Sequence, residues 1–467
     1  MKRFLIISAA VLCFIFLVLF LSTSSEKKRG PYFNEDYYKN TIARLDKINP
    51  PRVVLNGPVH AGFSKVSITP VLNSAEDDHT AGKFVQLPLA GYGARSGAAA
   101  TGIHDSVFVK AVALKVGSQT IVFVGADLLI MPPNITDAVT ARLAEIDLRR
   151  EQVFYSATHT HSSVGAWASG FIGELFSGEE NINVEKWLVH QVSKAIMEAI
   201  ADLRPAQIGT GNFTIDAYTS NRLIGGSGTK NNDFSFITLE QTGHKKAVIG
   251  SYSAHATTLG PDNLEISGDY PGYWAKKMEE TSVDYALFFA GSVGSQSPAG
   301  AIGKGFEKPK YIGEALADSL DRRLSQTALS STTTFSTILL KMELPEYHIR
   351  LTTTINLTTA LSNWLLPLSE NAYLQSVRIG NMVWVSTPSD FSGEYALQLK
   401  NSLASYGFNA NVTSFNGNYC GYIVPGRYFY LDKYEPQLMG WFGPNMGEYT
   451  MDLVRQLSRA MTGLDNI

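Results

Sequence analysis

The apolar and polar positions fall into three patterns along the chain. The first is an apolar run, Phe4–Leu21, broken only by Ser8, led by Met1-Lys2-Arg3 and followed by Ser22-Thr23-Ser24-Ser25 and Lys27-Lys28-Arg29. Its roughly eighteen residues approach the minimum that spans a bilayer core and exceed the roughly 7–15 of a signal-peptide apolar region. Residues 1–30 therefore read as an uncleaved signal-anchor in preference to a cleaved signal peptide. With an anchor, the body of the chain is expected to be exported and held to the membrane by a single pass; after cleavage it would be secreted or periplasmic. Basic residues on both sides leave the orientation open. In the second pattern, Asn34 caps a predicted helix over Glu35–Ile48 that Asn49-Pro50-Pro51 stops, so residues 31–60 form a helical stalk, linker or packing arm.

From Ala61 a third pattern takes over, in which short apolar runs alternate with amphipathic stretches. Strands are predicted over Phe108–Lys115, Thr120–Gly125, Gln152–Ser156, Ala247–Ser253, Ala286–Ala290 and Asn381–Ser386. Helices are predicted over Thr136–Ile146, Val184–Asp202, Tyr273–Glu280, Ile312–Ser325, Tyr395–Ser405 and Tyr449–Thr462. Strands interleaved with helices argue for an α/β body, with mixed β-sheets flanked by helices. The Ser/Thr-rich stretch Ser325–Thr337 reads as a linker or insertion edge, and residues 61–467 as one large domain behind the hydrophobic helix.

Composition narrows the function classes. Of 467 residues 45% are apolar and 17% charged, which disfavours disorder; the net charge of -3 gives no electrostatic case for a nucleic-acid partner. Only Cys13 and Cys420 are present, and Cys13 lies in the apolar run, so neither a disulfide framework nor a cysteine-rich metal cluster is available.

The chemistry collects where predicted strands end. Ser156-Ala157-Thr158-His159-Thr160-His161-Ser162 follows one strand, and its two histidines could share a metal, or one could ligate and the other support it. A second apolar run ends at Ala254-His255, and a third, Met382–Ser386, leads to Thr387-Pro388-Ser389-Asp390. Active-site groups of α/β sheets gather at the carboxyl ends of strands, and two imidazoles with one carboxylate leave zinc an open position for water.

These blocks resemble the catalytic domain of the neutral/alkaline (non-lysosomal) ceramidase family. The resemblance runs in order through Ala61–Pro70, Leu89-Ala90-Gly91-Tyr92-Gly93, Thr101–His104, Ala157–Ser162, Asn221-Arg222, Ile266–Tyr273, Gly294–Pro298, Pro388–Phe391, Tyr422-Ile423, Tyr434-Glu435 and Gly443-Pro444. It implies a zinc-dependent hydrolase of the N-acyl amide bond of ceramide or a related lipid. It also implies His159, His255, Asp390 and Tyr422 as zinc ligands, with His161, Arg222 and Tyr434 lining the reaction centre and Ser297 as the essential hydroxyl. Zinc lowers the pKa of water and polarises an acyl carbonyl, while Arg222, His161 or Tyr434 donate to the oxyanion. Ser297 would hold the water or the oxyanion, or act as nucleophile; with no dedicated base nearby in sequence, attack by zinc-activated water with the serine assisting is favoured.

The sequence also departs from the family. Ser163-Val164-Gly165-Ala166-Trp167 replaces the usual glycine-proline turn after the histidines, and Asp390 stands where the family has glutamate, with Glu394 as a lesser alternative. Ala299–Gly380 carries no family motif, and the family's C-terminal β-sandwich is expected to be absent. Two other readings follow: a zinc hydrolase of a different amide or ester, and a non-catalytic exported binding protein on the same scaffold.

Overall fold

The computed structural model describes residues 22–26, 30–48 and 55–464. The apolar run Phe4–Leu21 lies outside them; among the described residues no helix is long and apolar enough to cross a membrane.

A twelve-stranded mixed sheet organises the body. In chain order its strands are β1 (Leu55–Ser67), β2 (Phe108–Val116), β3 (Gln119–Ala126), β4 (Val153–Ala157), β5 (Arg204–Thr214), β6 (Asp233–Gln241), β7 (Lys246–Tyr252), β8 (Tyr285–Ala290), β9 (Thr332–Lys341), β10 (Tyr373–Ile379), β11 (Met382–Ser386) and β12 (Asn409–Thr413). The path runs β8-β7-β6-β5-β1-β9-β10-β11-β12, and β2, β3 and β4 branch from β1. The long strand β1 makes the branch possible: Leu55–Pro58 pair with β9, whereas Val59–Ser67 pair with β2. Most pairs are antiparallel, but β3–β4, β7–β8 and β11–β12 are parallel.

Both faces of these strands are buried, so their sequences read as nearly continuous apolar runs rather than alternating ones. Phe63, Phe123, Phe154, Phe289 and Trp384 meet in an inner core enclosed by the sheet. Each such side chain contributes roughly 2–3 kcal/mol by leaving water. Lys110 on β2 is a buried cation among them: its ammonium donates to Glu279 Oε1 at 2.6 Å and to the Ala286 carbonyl at 2.7 Å.

Helices cover the outer faces. They are α1 (Asp36–Ile48), α2 (Pro133–Leu143), α3 (Phe171–Ser177), α4 (Ile182–Ala201), α5 (Asp269–Thr281), α6 (Glu307–Leu324), α7 (Thr359–Leu365), α8 (Gly393–Ala404) and α9 (Met446–Thr462). The mixed α/β reading is borne out. Helix α1 is a packing arm rather than a free stalk, since Tyr37, Thr41 and Leu45 are buried and the Thr41 hydroxyl meets the Tyr449 hydroxyl at 2.8 Å. The Ser/Thr-rich stretch is not a linker at its end: Thr332–Lys341 is a strand of the main sheet, where β-branched threonines suit the pleated backbone. Helix α5 starts at Asp269, ahead of Pro271-Gly272, because proline is tolerated in the first turn, where its missing N–H has no partner to lose.

Candidate metal centre

The parallel strand pairs aim the chemistry at one point. Beyond the end of β4, His159 takes a left-handed backbone conformation (φ 63°), held by its N–H to the Leu128 carbonyl at 3.1 Å. Such conformations persist where the surroundings over-determine them, as at functional sites. His255 follows the end of β7, and Asp390 follows β11. Asp390 and Tyr422 are register partners in a short parallel ladder formed by Asp390-Phe391 and Tyr422-Ile423. Opposed residues of a ladder project to the same face, so two groups thirty-two positions apart point together.

His255 Nε2 lies 3.2 Å from Asp390 Oδ1 and 2.9 Å from the Tyr422 hydroxyl. His159 Nε2 lies 3.6 Å from the same Asp390 oxygen and 3.2 Å from His161 Nε2. Ring nitrogens of His159, His161 and His255 all fall within 4.8 Å of one another. The structure thus brings His159, His161, His255, Asp390 and Tyr422 together.

The tautomers are fixed from behind. His159 Nδ1 faces the Leu129 carbonyl at 2.6 Å, and His255 Nδ1 faces the carbonyls of Val293 at 2.8 Å and Gln296 at 3.0 Å. A carbonyl only accepts, so both Nδ1 atoms carry the proton and both Nε2 atoms present lone pairs to the centre. Burial pushes His159 down to about 3 and holds His161 and His255 well below the ordinary histidine range, so all three rings are neutral at pH 7. Burial raises the Asp390 carboxyl, opposed by His159, by the Tyr419 hydroxyl and by Arg222.

These groups fit a metal ion. Asp390 Oδ1 is fully buried with no hydrogen-bond partner of good geometry, while the adjacent Tyr422 hydroxyl is turned to His255. Two imidazole lone pairs and an unpaired carboxylate oxygen at 3.2–3.6 Å repel one another unless a cation lies among them. The donor set, two imidazoles, a carboxylate and a phenol, is nitrogen and oxygen chemistry of the kind that zinc accepts. Burial raises the Tyr422 phenol well above its ordinary range and Arg222 lowers it, so ligation as phenolate draws on the field of a dication as well.

Around this cluster, Arg222 donates from Nη2 to the Tyr422 hydroxyl at 2.7 Å and forms a buried ion pair with Glu435, Nε to Oε1 at 2.7 Å. Tyr434 lines the cavity above, its ring 5.8 Å from that of Tyr422. Ser297 is half-buried on the short strand Gln296–Pro298, opposite Ser220, and is not among the residues lining the cavity. Glu394 is taken up by an ion pair with Arg427.

Sequence reasoning missed several participants. Tyr419 donates to Asp390 Oδ2 at 2.7 Å. Glu435 neutralises Arg222. Gly91 backs His161 so closely that a Cβ there would lie 2.7 Å from the imidazole. Gly91 lies in the block Leu89–Gly93, but nothing local ties it to a histidine seventy residues on.

A cavity of about 420 Å³ opens onto the cluster. Its wall is largely apolar, with Leu129, Ile130, Trp167, Ile172, Phe176 and Leu366 prominent and His159, His161, Tyr422 and Tyr434 where it meets the cluster.

A buried histidine–carboxylate–phenol constellation stands at strand ends, under an apolar cavity in a mixed α/β sheet, and its donor set fits a metal-binding site. Residues 74–300 match the family model of neutral/alkaline non-lysosomal ceramidase, N-terminal part, so the resemblance read from the sequence is borne out. That stretch contains His159, His161, Arg222, His255 and Ser297 but not Asp390, Tyr422 or Tyr434. The chain is similar to the neutral ceramidase of Mycobacterium tuberculosis (strain ATCC 25618 / H37Rv), with 26% identity over 231 residues, 45% of this chain and 36% of that relative. The match therefore spans little more than a third of the relative's length. Among solved structures, neutral ceramidase from Pseudomonas aeruginosa superposes with a TM-score of 0.70 at 18% identity, covering 86% of this chain and 74% of that one. A ceramidase complexed with C2 gives a TM-score of 0.73 at 16% identity over 88% and 76% of the two chains. At these identities the likeness establishes the fold.

Proposed function

We propose that this protein is a zinc-dependent amidohydrolase that cleaves the N-acyl bond of ceramide or a related lipid, with His159, His255, Asp390 and Tyr422 holding the metal. The observation that carries the reading is the convergence of two lone-pair-bearing Nε2 atoms on the unpaired Oδ1 of Asp390. A zinc ion supplies Lewis acidity there, acidifying water and polarising an acyl carbonyl.

The protein's own residues do the rest. The apolar cavity takes up an acyl chain, orients the amide and excludes bulk water, which strengthens every charge interaction inside. His161, neutral and with its Nε2 turned to the centre, is placed to donate to the developing oxyanion or to hold a proton in transit. Arg222, kept charged by Tyr422 and Glu435, stabilises negative charge at the centre. Tyr434 stands at the cavity side of Tyr422 as a second hydroxyl donor, and Ser297, outside the cavity, follows Gln296, whose carbonyl holds His255 Nδ1.

A second reading, a zinc hydrolase of a different amide or ester, is favoured by one feature: the cavity wall at Leu366–Ser369 comes from the part of the chain beyond the family match. The apolar run Phe4–Leu21 anchors the protein in a membrane with the catalytic body exported. The test is metal analysis of the purified protein, followed by chromatography of the products from a fluorescent ceramide. One zinc per chain and release of free fatty acid with the amine are expected. A metal-free, inactive protein leaves only a binding scaffold.

A further inference from the structure

The two most exposed large apolar side chains among the described residues, Trp364 and Phe171, lie on elements that line or directly adjoin the cavity, and Leu438 lies on a third. Helix α3 lines it with Ile172 and Phe176 and turns Phe171 outward, 66% exposed. Residues 366–369 line it directly after α7, which presents Trp364 at 71% exposure. The segment from Tyr434 to Trp441 lines it with Tyr434 and Met439 and leaves Leu438 49% exposed. Isolated exposed apolar residues are ordinary, but a set concentrated on the rim of one apolar cavity marks an interaction surface.

The chain itself indicates what that surface meets. The short strand Thr23–Ser25 pairs antiparallel with Ile355–Leu357. Beside it the Thr358 N–H, at the start of α7, donates to the Ser22 carbonyl at 2.9 Å. Glu26 is fixed as well, accepting from Asn356 Nδ2 at 2.7 Å. The apolar run Phe4–Leu21 therefore ends one residue before a point tied to the first turn of α7. Trp364 lies six residues further along, about 9 Å by helix rise.

We infer that the rim formed by Phe171, Trp364 and Leu438 inserts into the surface of a phospholipid bilayer, so that the cavity mouth opens directly onto the lipid in which Phe4–Leu21 is embedded. Tryptophan and phenylalanine suit that depth, where apolar rings are buried near the headgroups. A substrate with a long apolar chain then passes from bilayer to cavity without crossing water. This inference rests on the anchor reading above but not on zinc or on hydrolysis.

Tryptophan fluorescence provides a direct test, because Trp167, Trp187, Trp274, Trp384 and Trp441 are each at most 5% exposed and Trp364 alone among the tryptophans is open. The full chain is mixed with phosphatidylcholine vesicles, floated on a density gradient, and compared on plain and brominated phosphatidylcholine. The protein is expected to float, brominated lipid is expected to quench part of its emission, and Trp364→Phe is expected to abolish that quenching while still floating. Failure to float overturns both the anchor and the rim. Flotation with equal emission on the two lipids, or with quenching unchanged in Trp364→Phe, overturns the rim alone, as does a dimer in which a second copy shields Trp364.

Discussion

The Tyr419 hydroxyl donates to Asp390 Oδ2 at 2.7 Å, which leaves Oδ1 of the same carboxylate to face the two imidazoles. Aspartate is one methylene shorter than the glutamate of the family motif, so its reach depends on how it is held. The ladder with Tyr422 sets its backbone, and Tyr419 sets its rotation.

Tyr419→Phe removes that hydrogen bond and keeps the ring. Groups that orient metal ligands are typically worth 10–100-fold in affinity. The variant is expected to fold normally and to lose zinc at roughly ten-fold or more lower chelator concentration in a competition titration. Unchanged affinity would mean that the carboxylate is positioned by its backbone alone.

The three strand ends were legible in the sequence because each is an apolar run that stops at a histidine or an aspartate. Their convergence was not, because it depends on which strands lie parallel, and β3–β4, β7–β8 and β11–β12 are joined by segments whose pairing no local pattern specifies. Tyr419 is hidden differently: it is one of many aromatic residues between Tyr419 and Tyr434, and only its distance to Asp390 separates it from its neighbours. The strand Thr332–Lys341 escaped because serine and threonine serve loops and sheets alike, and tertiary pairing with β1 and β10 decided the outcome.

The ligand set divides His161 from His255. Both rings are close to the centre, but His255 faces Asp390 Oδ1 and Tyr422, whereas among the proposed ligands His161 comes within hydrogen-bond distance of His159 alone. His255→Ala is expected to lose zinc by elemental analysis. His161→Ala is expected to keep its zinc while turnover falls roughly 10²–10³-fold, the usual cost of one oxyanion donor. Loss of zinc from both variants would make His161 a ligand.

Gly91 tests how tightly His161 is placed. Its φ of 127° strains any L side chain, and a Cβ would stand 2.7 Å from the His161 ring. Gly91→Ala is expected to cut turnover at least about ten-fold with zinc content intact, since displacements near 1 Å can cost a hundred-fold. An active alanine variant would show that the imidazole tolerates displacement.

Asp127 makes stability depend on pH without involving a proposed metal ligand. Burial raises its carboxyl to about 6 against the partial relief of Lys110, and its Oδ2 accepts from the Phe108 N–H at 2.8 Å. The native state thus holds the proton more tightly than the unfolded chain, whose carboxyl titrates near about 3.9. This contribution is full below about pH 4 and is lost as the pH rises through 6. Asp127→Asn keeps an acceptor for Phe108 but has no proton to lose. Urea denaturation at pH 4.5 and 7.5 should therefore show the variant gaining on the wild type with rising pH, by at most about 3 kcal/mol. A constant difference between the two proteins would mean that the field of Lys110 keeps the carboxylate charged throughout.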